Sequence, residues 1–150
     1  PELATVPPAQ YPSITVVTNA LNIAAELTVR DYIRIMVTGG VARANSFELT
    51  GPFAENSLNE ITIHTAFLGI QALHLELGAM SEYEDEALVN RKIAERAERV
   101  VIVSDSTKFN QRLFAIICDL QQINTIITDA KVDSKFKNEL IKKGIEVVIA

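Results

Sequence analysis

The sequence predicts an α/β domain built as three layers, with a mainly parallel sheet flanked by helices. Strand-like apolar runs alternate with amphipathic helical patterns along most of the chain, joined by short connections. Several of these runs are continuously apolar, as in Val100–Val103. Such runs are typical of strands that are buried on both faces, as in a parallel sheet. Polar residues follow the strands at once, which marks where each strand ends.

The first half of the chain reads as strand, helix, strand, helix, strand. Strands are predicted at residues 14–17, 32–37 and 61–68, and Gly69 ends the last of them. The helix between the first two strands has its apolar face at Leu21, Ala24, Ala25 and Thr28. Pro52 suits the first position of a second helix, over residues 53–58.

The second half continues the alternation. Residues 71–80 fit either an exposed strand or a helix, whereas residues 82–97 predict a helix with Val89, Ile93 and Ala97 on its apolar face. A short connection is expected before the strand at 100–103, and further strands are expected at 123–127 and 145–149. Between the last two strands, Asp133 or Ser134 can cap a helix whose apolar positions are Phe136, Leu140 and Ile141.

Length and charge limit the classes of function. The 150 residues suit one domain, and the net charge of −5 argues against this chain gripping a nucleic-acid backbone by itself. No apolar run is long enough to cross a bilayer, and no signal-peptide pattern is seen. The single cysteine, Cys118, lies in an apolar context that indicates a buried structural thiol. We expect a reducing, cytoplasmic location.

Four polar clusters follow the carboxyl ends of predicted strands: Thr18-Asn19, Thr38-Gly39-Gly40, Asp105–Lys108 and Thr128-Asp129. In a single parallel sheet these clusters share an edge, and ligands bind beyond that edge in open α/β sheets. A strand followed by an ordinary polar turn explains each cluster equally well when it is taken alone. The convergence of four clusters is therefore what predicts a ligand crevice.

The cluster after Val103 combines hydroxyls, a carboxylate and one ammonium group. Lys108 is its only cation and could offset phosphate charge, while Ser106 and Thr107 donate hydrogen bonds; the alternative is a solvated lysine. Asp105 could accept hydrogen bonds from sugar hydroxyls or cap the next turn. No dinucleotide fingerprint or P-loop occurs, so nucleotide binding has no support.

The remaining titratable residues indicate no metal and no cofactor. His64 and His74 have no cysteine or carboxylate at ligand spacing, and His64 is expected to be a hydrogen-bonded structural histidine. In the acidic run at 82–86, Glu82, Glu84 and Asp85 are expected to form a solvated helix start. Glu86 is the best placed of its carboxylates for acid–base chemistry.

The order of motifs resembles the effector-binding domain of DeoR-type bacterial transcriptional repressors. The similarity covers nearly the whole chain and rests on these stretches: Val16-Val-Thr-Asn-Ala20, Val37-Thr-Gly-Gly40, Leu49-Thr-Gly-Pro52, Ala66-Phe-Leu-Gly69, Glu86-Ala-Leu-Val-Asn-Arg91, Val101-Ile-Val-Ser-Asp-Ser106-Thr-Lys-Phe109, Ile123-Asn-Thr-Ile-Ile-Thr-Asp129 and Gly144-Ile-Glu-Val-Val. This resemblance implies a fold similar to ribose-5-phosphate isomerase and CoA transferases. It implies sensing of a phosphorylated sugar, coupled to an N-terminal winged helix-turn-helix that binds operator DNA.

The resemblance also implies which residues contact the effector, and that the domain forms a homo-oligomer. The implied contacts are Thr18, Asn19, Thr38, Gly39, Gly40, Asp105, Ser106 and Lys108, with Gly69 and Glu86 in second rank.

Three departures from the family pattern bear on these expectations. Nothing before Val16 matches the family's opening strand and its Asp-x-Gly-Thr-Thr-like loop, so the chain is expected to be a fragment without that strand and without the DNA-binding domain. His64 stands where the family often has aspartate, which weakens an enzymatic interpretation. Asn110 stands where glycine is common and could alter the loop after Lys108.

Three hypotheses follow, led by a sensor of sugar phosphates that is not an enzyme. The second is an isomerase or deaminase acting on sugar phosphates, with Glu86 or Asp105 as its base. The third is an oligomerisation domain whose ligand site is vestigial.

Overall fold

The computed structural model describes residues 14–150. The chain divides into two compact units: the first ends at Ser57 and the second runs from Leu58 to Ala150. Each unit is described by itself. The sequence also predicts the last turn of a helix at residues 2–6, before Pro7 and Pro8, and this stretch lies outside the described residues.

The first unit is organised around two parallel strands, β1 (Ile14–Thr18) and β2 (Ile33–Val37). They pair in register from Ile14 opposite Ile33 to Thr18 opposite Val37. Helix α1 (Leu21–Leu27) connects them, as a parallel pair requires. Both predicted strands are confirmed, and their carboxyl ends lie side by side.

The apolar face of α1 is narrower than the sequence predicts. Ala24 and Leu27 are its buried residues, and Leu27 packs with Ile33 of β2. The expectation that Leu21, Ala25 and Thr28 share this face is wrong, because all three are exposed. A seven-residue helix has too few turns to bury a broad face against two short strands.

The rest of the first unit is a short hairpin and a helix. Strand β3 (Val41–Ala42) pairs antiparallel with β4 (Leu49–Thr50). Helix α2 (Pro52–Ser57) then begins at Pro52, as predicted. A short 3₁₀ helix, Leu58–Glu60, opens the second unit.

The second unit contains a four-stranded parallel sheet. Its strands are β5 (Ile63–Gly69), β8 (Ala97–Val103), β10 (Thr125–Thr128) and β11 (Glu146–Ile149). They lie in the order β11-β10-β8-β5. The predicted class, α/β with a mainly parallel sheet flanked by helices, is confirmed. Among the described strands, β1 and β2 form a two-stranded sheet of their own, so the single sheet expected from the sequence is not formed.

Two helices pack on this sheet, α3 (Glu84–Arg96) and α4 (Ser134–Lys142). Helix α3 leads directly into β8, so the connection expected before residue 100 is absent and Ala97 is a strand residue. The apolar face of α4 is confirmed at Phe136 and Leu140, but Ile141 is 50% exposed and the prediction for it is wrong. The buried core includes Leu68, Ala87, Ala94, Val100, Ile102, Ile126, Phe136, Leu140 and Ile145.

The stretch left open between strand and helix is a hairpin. Strands β6 (Ala72–His74) and β7 (Gly78–Ser81) pair antiparallel, and β9 (Ala115–Cys118) adds a third strand beside β7. Gly78 has a φ of +80°, which lets the chain turn back at the start of β7.

The longest helix described in residues 14–150 is α3, with 13 residues. None of the helices in this part of the chain is long and apolar enough to cross a membrane.

Candidate functional site

The polar stretch after β8 forms a single turn of 3₁₀ helix, Ser106–Lys108. Asp105 caps this turn: its Oδ1 accepts a hydrogen bond from the Thr107 amide at 2.9 Å and another from the Thr107 hydroxyl. The Thr107 hydroxyl is the main reason why the pKa of Asp105 lies below its ordinary value. Of the two roles considered for Asp105, capping is therefore the one that the structure contains.

Asp129, directly after β10, holds the same turn from the neighbouring strand. Its Oδ2 accepts from the Ser106 amide at 2.7 Å, and its Oδ1 accepts from the Ser106 hydroxyl at 2.9 Å. Oδ1 also accepts from the Lys131 amide at 2.8 Å. The Ser106 amide is the largest cause of the lowered pKa of Asp129. Sequence reasoning placed Asp129 in a polar cluster but did not name it as a site residue.

Lys108 ends the turn and is half-buried. Within residues 14–150, no carboxylate lies within ion-pair distance of its ammonium group. The next residue, Phe109, stacks on Phe136 of α4 with ring centroids 5.3 Å apart. A cation in this position can offset the charge of a bound anion without first giving up a protein partner.

The loop after Phe109 accommodates Asn110 without a glycine. Asn110 has a φ of +58°, the left-handed conformation that glycine adopts freely and that asparagine tolerates better than most residues. The sequence predicts a loop over residues 110–114, and the structure confirms it. Asn110 thus keeps a backbone shape that glycine would also allow.

A second polar group lies beyond the carboxyl end of β5, where Gly69 pairs with Val103 of β8. Glu86, in the first turn of α3, is only 6% exposed. Its Oε2 accepts from the Ser81 hydroxyl at 3.0 Å and from the Gln71 amide group at 3.3 Å. Gln71 and Ser81 carry no local motif that could have singled them out. Their role depends on the β6–β7 hairpin, which brings them to α3.

In the first unit, Thr18, Asn19 and Thr38 are all buried at the carboxyl ends of β1 and β2. The Thr38 amide donates to the Thr18 carbonyl at 3.1 Å and so extends the ladder. The Thr18 hydroxyl accepts from the Ala20 amide at 3.0 Å. Asn19 Nδ2 is buried and has no hydrogen-bond acceptor among the described residues. An unpaired buried amide is costly, which makes Asn19 a donor suited to a ligand.

Gly39 and Gly40 both have left-handed backbone conformations, with φ values of +74° and +116°. At Gly40 there is also no space for a side chain, because a Cβ would lie 2.6 Å from the Thr50 carbonyl oxygen. The backbone at Gly40 therefore packs closely against Thr50, and a side chain at this position would prevent that packing.

The candidate contacts fall into two groups, one in each unit. Thr18, Asn19, Thr38, Gly39 and Gly40 belong to the first unit. Gly69, Glu86, Asp105, Ser106 and Lys108 belong to the second. Within each unit, the structure brings the carboxyl ends of neighbouring parallel strands together, as expected.

No group of three or more potential metal ligands occurs in residues 14–150. His64 is exposed in β5, and no hydrogen bond of its ring is found in the described part of the chain, so the expected bonding is wrong. His74 is the bonded histidine, with its ring nitrogens 3.1 Å from Arg112 Nε and 3.2 Å from the Glu76 amide nitrogen.

Within the described residues, the strand ends carry hydroxyls, backbone amides, the buried side-chain amide of Asn19 and the ammonium group of Lys108. Residues 4–130 match the family described as the DeoR C terminal sensor domain, and the chain belongs to this family.

Several curated proteins are similar to the chain. It is 36% identical to the "Putative aga operon transcriptional repressor" of Escherichia coli O157:H7, over 93% of the chain and 52% of that protein. It is 31% identical to the "Uncharacterized HTH-type transcriptional regulator YulB" of Bacillus subtilis, over 89% of the chain and 52% of that protein. It is 35% identical to the "HTH-type transcriptional regulator GlpR" of Haloferax volcanii, over 88% of the chain and 51% of that protein.

The chain spans about half the length of these curated relatives. All three are transcriptional regulators by name, and the matched family is a sensor domain. These findings confirm the prediction of a regulatory sensor domain rather than an enzyme.

Proposed function

We propose that the chain binds a phosphorylated sugar and that this binding controls a transcriptional regulator. The observation that supports it most is Lys108, a half-buried cation without a carboxylate partner in residues 14–150, at the carboxyl end of a parallel strand. A phosphate group would supply the opposite charge, and nearby hydroxyls and amides would bond the sugar.

The proposal extends to the protein of which this domain is a part. We propose that operator DNA is bound by a separate N-terminal winged helix-turn-helix, and that the opening strand of the domain lies outside this chain. The effector would act by binding two arrangements of the regulator with different affinity. Self-association and a cytoplasmic location belong to the same proposal. Sedimentation velocity tests the first of these directly.

In this proposal, each of the two groups of site residues described above is a candidate for effector contact within its own unit. Gly69 and Glu86 remain second-rank contacts beside Asp105, Ser106 and Lys108. The hydroxyl proton of Ser106 is donated to Asp129, so Ser106 would accept a hydrogen bond from a sugar hydroxyl rather than donate one.

The first experiment measures thermal stabilisation of the chain, preceded by its native upstream residues, against a panel of sugar phosphates and the same sugars without phosphate. Ligand that binds the native state raises its stability, so one sugar phosphate should stand out. Lys108→Ala should weaken binding of the selected sugar phosphate by about tenfold or more and leave binding of the unphosphorylated sugar nearly unchanged. Lys135→Ala, at an exposed lysine of α4, removes the same charge as a control.

Two results would contradict the proposal. Equal losses for the phosphorylated and unphosphorylated sugars would remove the phosphate role of Lys108. No stabilisation by any compound of a broad panel would favour a vestigial site in a domain used for assembly.

Asn19 tests the group in the first unit separately. Asn19→Ala removes no side-chain hydrogen bond found among the described residues. It should therefore change the stability of the ligand-free protein little. It should weaken binding of the phosphorylated and the unphosphorylated sugar to the same extent, because an amide donor is suited to a sugar oxygen. A loss confined to the phosphorylated form would instead make Asn19 a phosphate contact.

A further inference from the structure

The Ser106–Lys108 turn is attached to its surroundings on both sides. On one side, Ser106 gives both its amide and its hydroxyl hydrogen to the Asp129 carboxylate. On the other side, Phe109 stacks on Phe136 of α4. Lys108 lies between these attachments, so the position of its backbone depends on both.

The Asp129 carboxylate is itself held in place. Strand β10 pairs with β8 from Thr125 opposite Val101 to Ile127 opposite Val103. The Ser104 amide donates to the Ile127 carbonyl at 3.1 Å, which carries this pairing to the start of the turn. The Lys131 amide fixes the carboxylate from its far side. By contrast, the hydrogen bonds found for the Asp105 carboxylate in residues 14–150 come from Thr107, within the same turn.

We propose that Asp129 is a positioning residue for Lys108: its carboxylate fixes the turn that presents the ammonium group to the effector. The proposal rests on the proposed function where it concerns the effector. The fixing of the turn itself rests on the geometry alone. It assigns Ser106 a connecting role, because both of its hydrogen-bond donors are used by Asp129.

For Asp129→Asn, a positioning role and simple electrostatics predict opposite changes in the affinity for an anion. Asp129→Asn keeps the size of the side chain but removes a negative charge close to the proposed anion. Electrostatics alone would then strengthen anion binding. Positioning predicts weaker binding, because an amide cannot accept both Ser106 donors as the two carboxylate oxygens do.

The first measurement needs no ligand. Backbone ¹⁵N relaxation of the 150-residue chain should give order parameters of about 0.85 at residues 106–108, falling below about 0.6 in Asp129→Asn. Ser106→Ala keeps the hydrogen bond from the backbone N–H of residue 106 to Asp129, so it should lower the order parameters less. Glu139→Gln, which removes a carboxylate from the exposed face of α4, should leave the turn unchanged. Unchanged order parameters in Asp129→Asn would overturn the proposal.

The second measurement is a titration with inorganic phosphate. Lys108→Ala should weaken phosphate binding by about tenfold, and Asp129→Asn by about fivefold. If Asp129 acts through Lys108, the double variant should bind no more weakly than Lys108→Ala alone, within about twofold. Tighter binding by Asp129→Asn, or effects that multiply in the double variant, would overturn the proposal.

The two measurements separate the failure of this inference from the failure of the proposed function. If the native chain binds neither phosphate nor any sugar phosphate, the proposed function is wrong. The relaxation data would still decide whether Asp129 fixes the turn.

Discussion

Val100 and Asn124 exchange hydrogen bonds where two neighbouring strands run side by side. The backbone N–H of Val100 donates to Asn124 Oδ1 at 2.7 Å, and the backbone N–H of Asn124 donates to the Val100 carbonyl at 3.0 Å. Val100 is only 2% exposed, so its amide depends on this side chain for a partner. The pair sets the register in which Thr125 then faces Val101.

Asn124→Ala should lower the free energy of unfolding by about 1–3 kcal/mol, because it leaves the Val100 amide without an acceptor. Asn124→Asp keeps an oxygen in the same place and should cost less than about 1 kcal/mol. Urea unfolding of the three proteins measures both values. Equal losses for the two variants would show that the amide group, and not its oxygen, matters.

Gly78 and Gly144 form a matched pair for testing close packing of the backbone. Their φ values are nearly the same, +80° and +85°, so alanine meets similar backbone strain at both. A Cβ at Gly78 would lie 2.0 Å from the Cys118 carbonyl oxygen, whereas nothing lies within 4 Å of one at Gly144.

Gly144→Ala should therefore cost about 1–2 kcal/mol of stability, the cost of the left-handed conformation alone. Gly78→Ala adds overpacking against β9 and should cost about 3 kcal/mol or more. Urea unfolding compares the two. Similar costs would mean that the β7–β9 contact adjusts freely to an added methyl group.

Elements with a local signal could be predicted from the sequence. The sequence predicts Asp133 or Ser134 as the cap of α4 and Gly144 as the exit from this helix. In the structure the Asp133 carboxylate accepts a hydrogen bond from the Phe136 amide at 2.8 Å, and Gly144 has the left-handed conformation. The buried face of α4 is less predictable from the sequence, because Leu140 and Ile141 are adjacent and both apolar. Only the packing decides that Leu140 is fully buried and Ile141 half exposed.

Contacts between distant parts of the chain could not be predicted. The site turn after β8 was recognised because polar residues follow an apolar strand, a feature visible in one short stretch. Its bond to Asp129 joins residues 23 positions apart and depends on the β8–β10 pairing. The sequence leaves residues 71–80 open between strand and helix for the same reason, since their partner strand β9 lies far along the sequence.

Cys118 should be unreactive in the folded protein. It is 3% exposed, and burial, with a smaller effect of Asp119, raises the pKa of its thiol to about 11. At pH 8 the thiol is therefore protonated as well as covered. Labelling with an aromatic disulfide should proceed only as fast as the chain opens, and should become rapid in urea.

A control for this labelling lies two positions away. Ile116, on the same strand β9, is 36% exposed. Ile116→Cys, made together with Cys118→Ala, should label rapidly in the folded state. Rapid labelling of Cys118 in the native protein would mean that β9 detaches readily from its neighbours.

The carboxylate of Asp129 should make stability depend on pH in the acid range. Hydrogen bonds from Ser106 and Lys131 lower the pKa of Asp129 in the folded state. A carboxyl group with a lowered folded pKa stabilises the fold above its unfolded pKa, which is about 3.9 for aspartate. This contribution is lost as the pH falls through the lower, folded pKa.

Asp129→Asn should therefore be less stable than the native chain at pH 7, by an amount that stays constant down to about pH 5. The difference should shrink below about pH 4, because the native carboxylate then becomes protonated and loses its advantage over the amide. Urea unfolding of both proteins at several pH values measures this difference. A difference that persists undiminished well below the ordinary pKa of aspartate would mean that the variant is destabilised by its altered shape rather than by its lost charge.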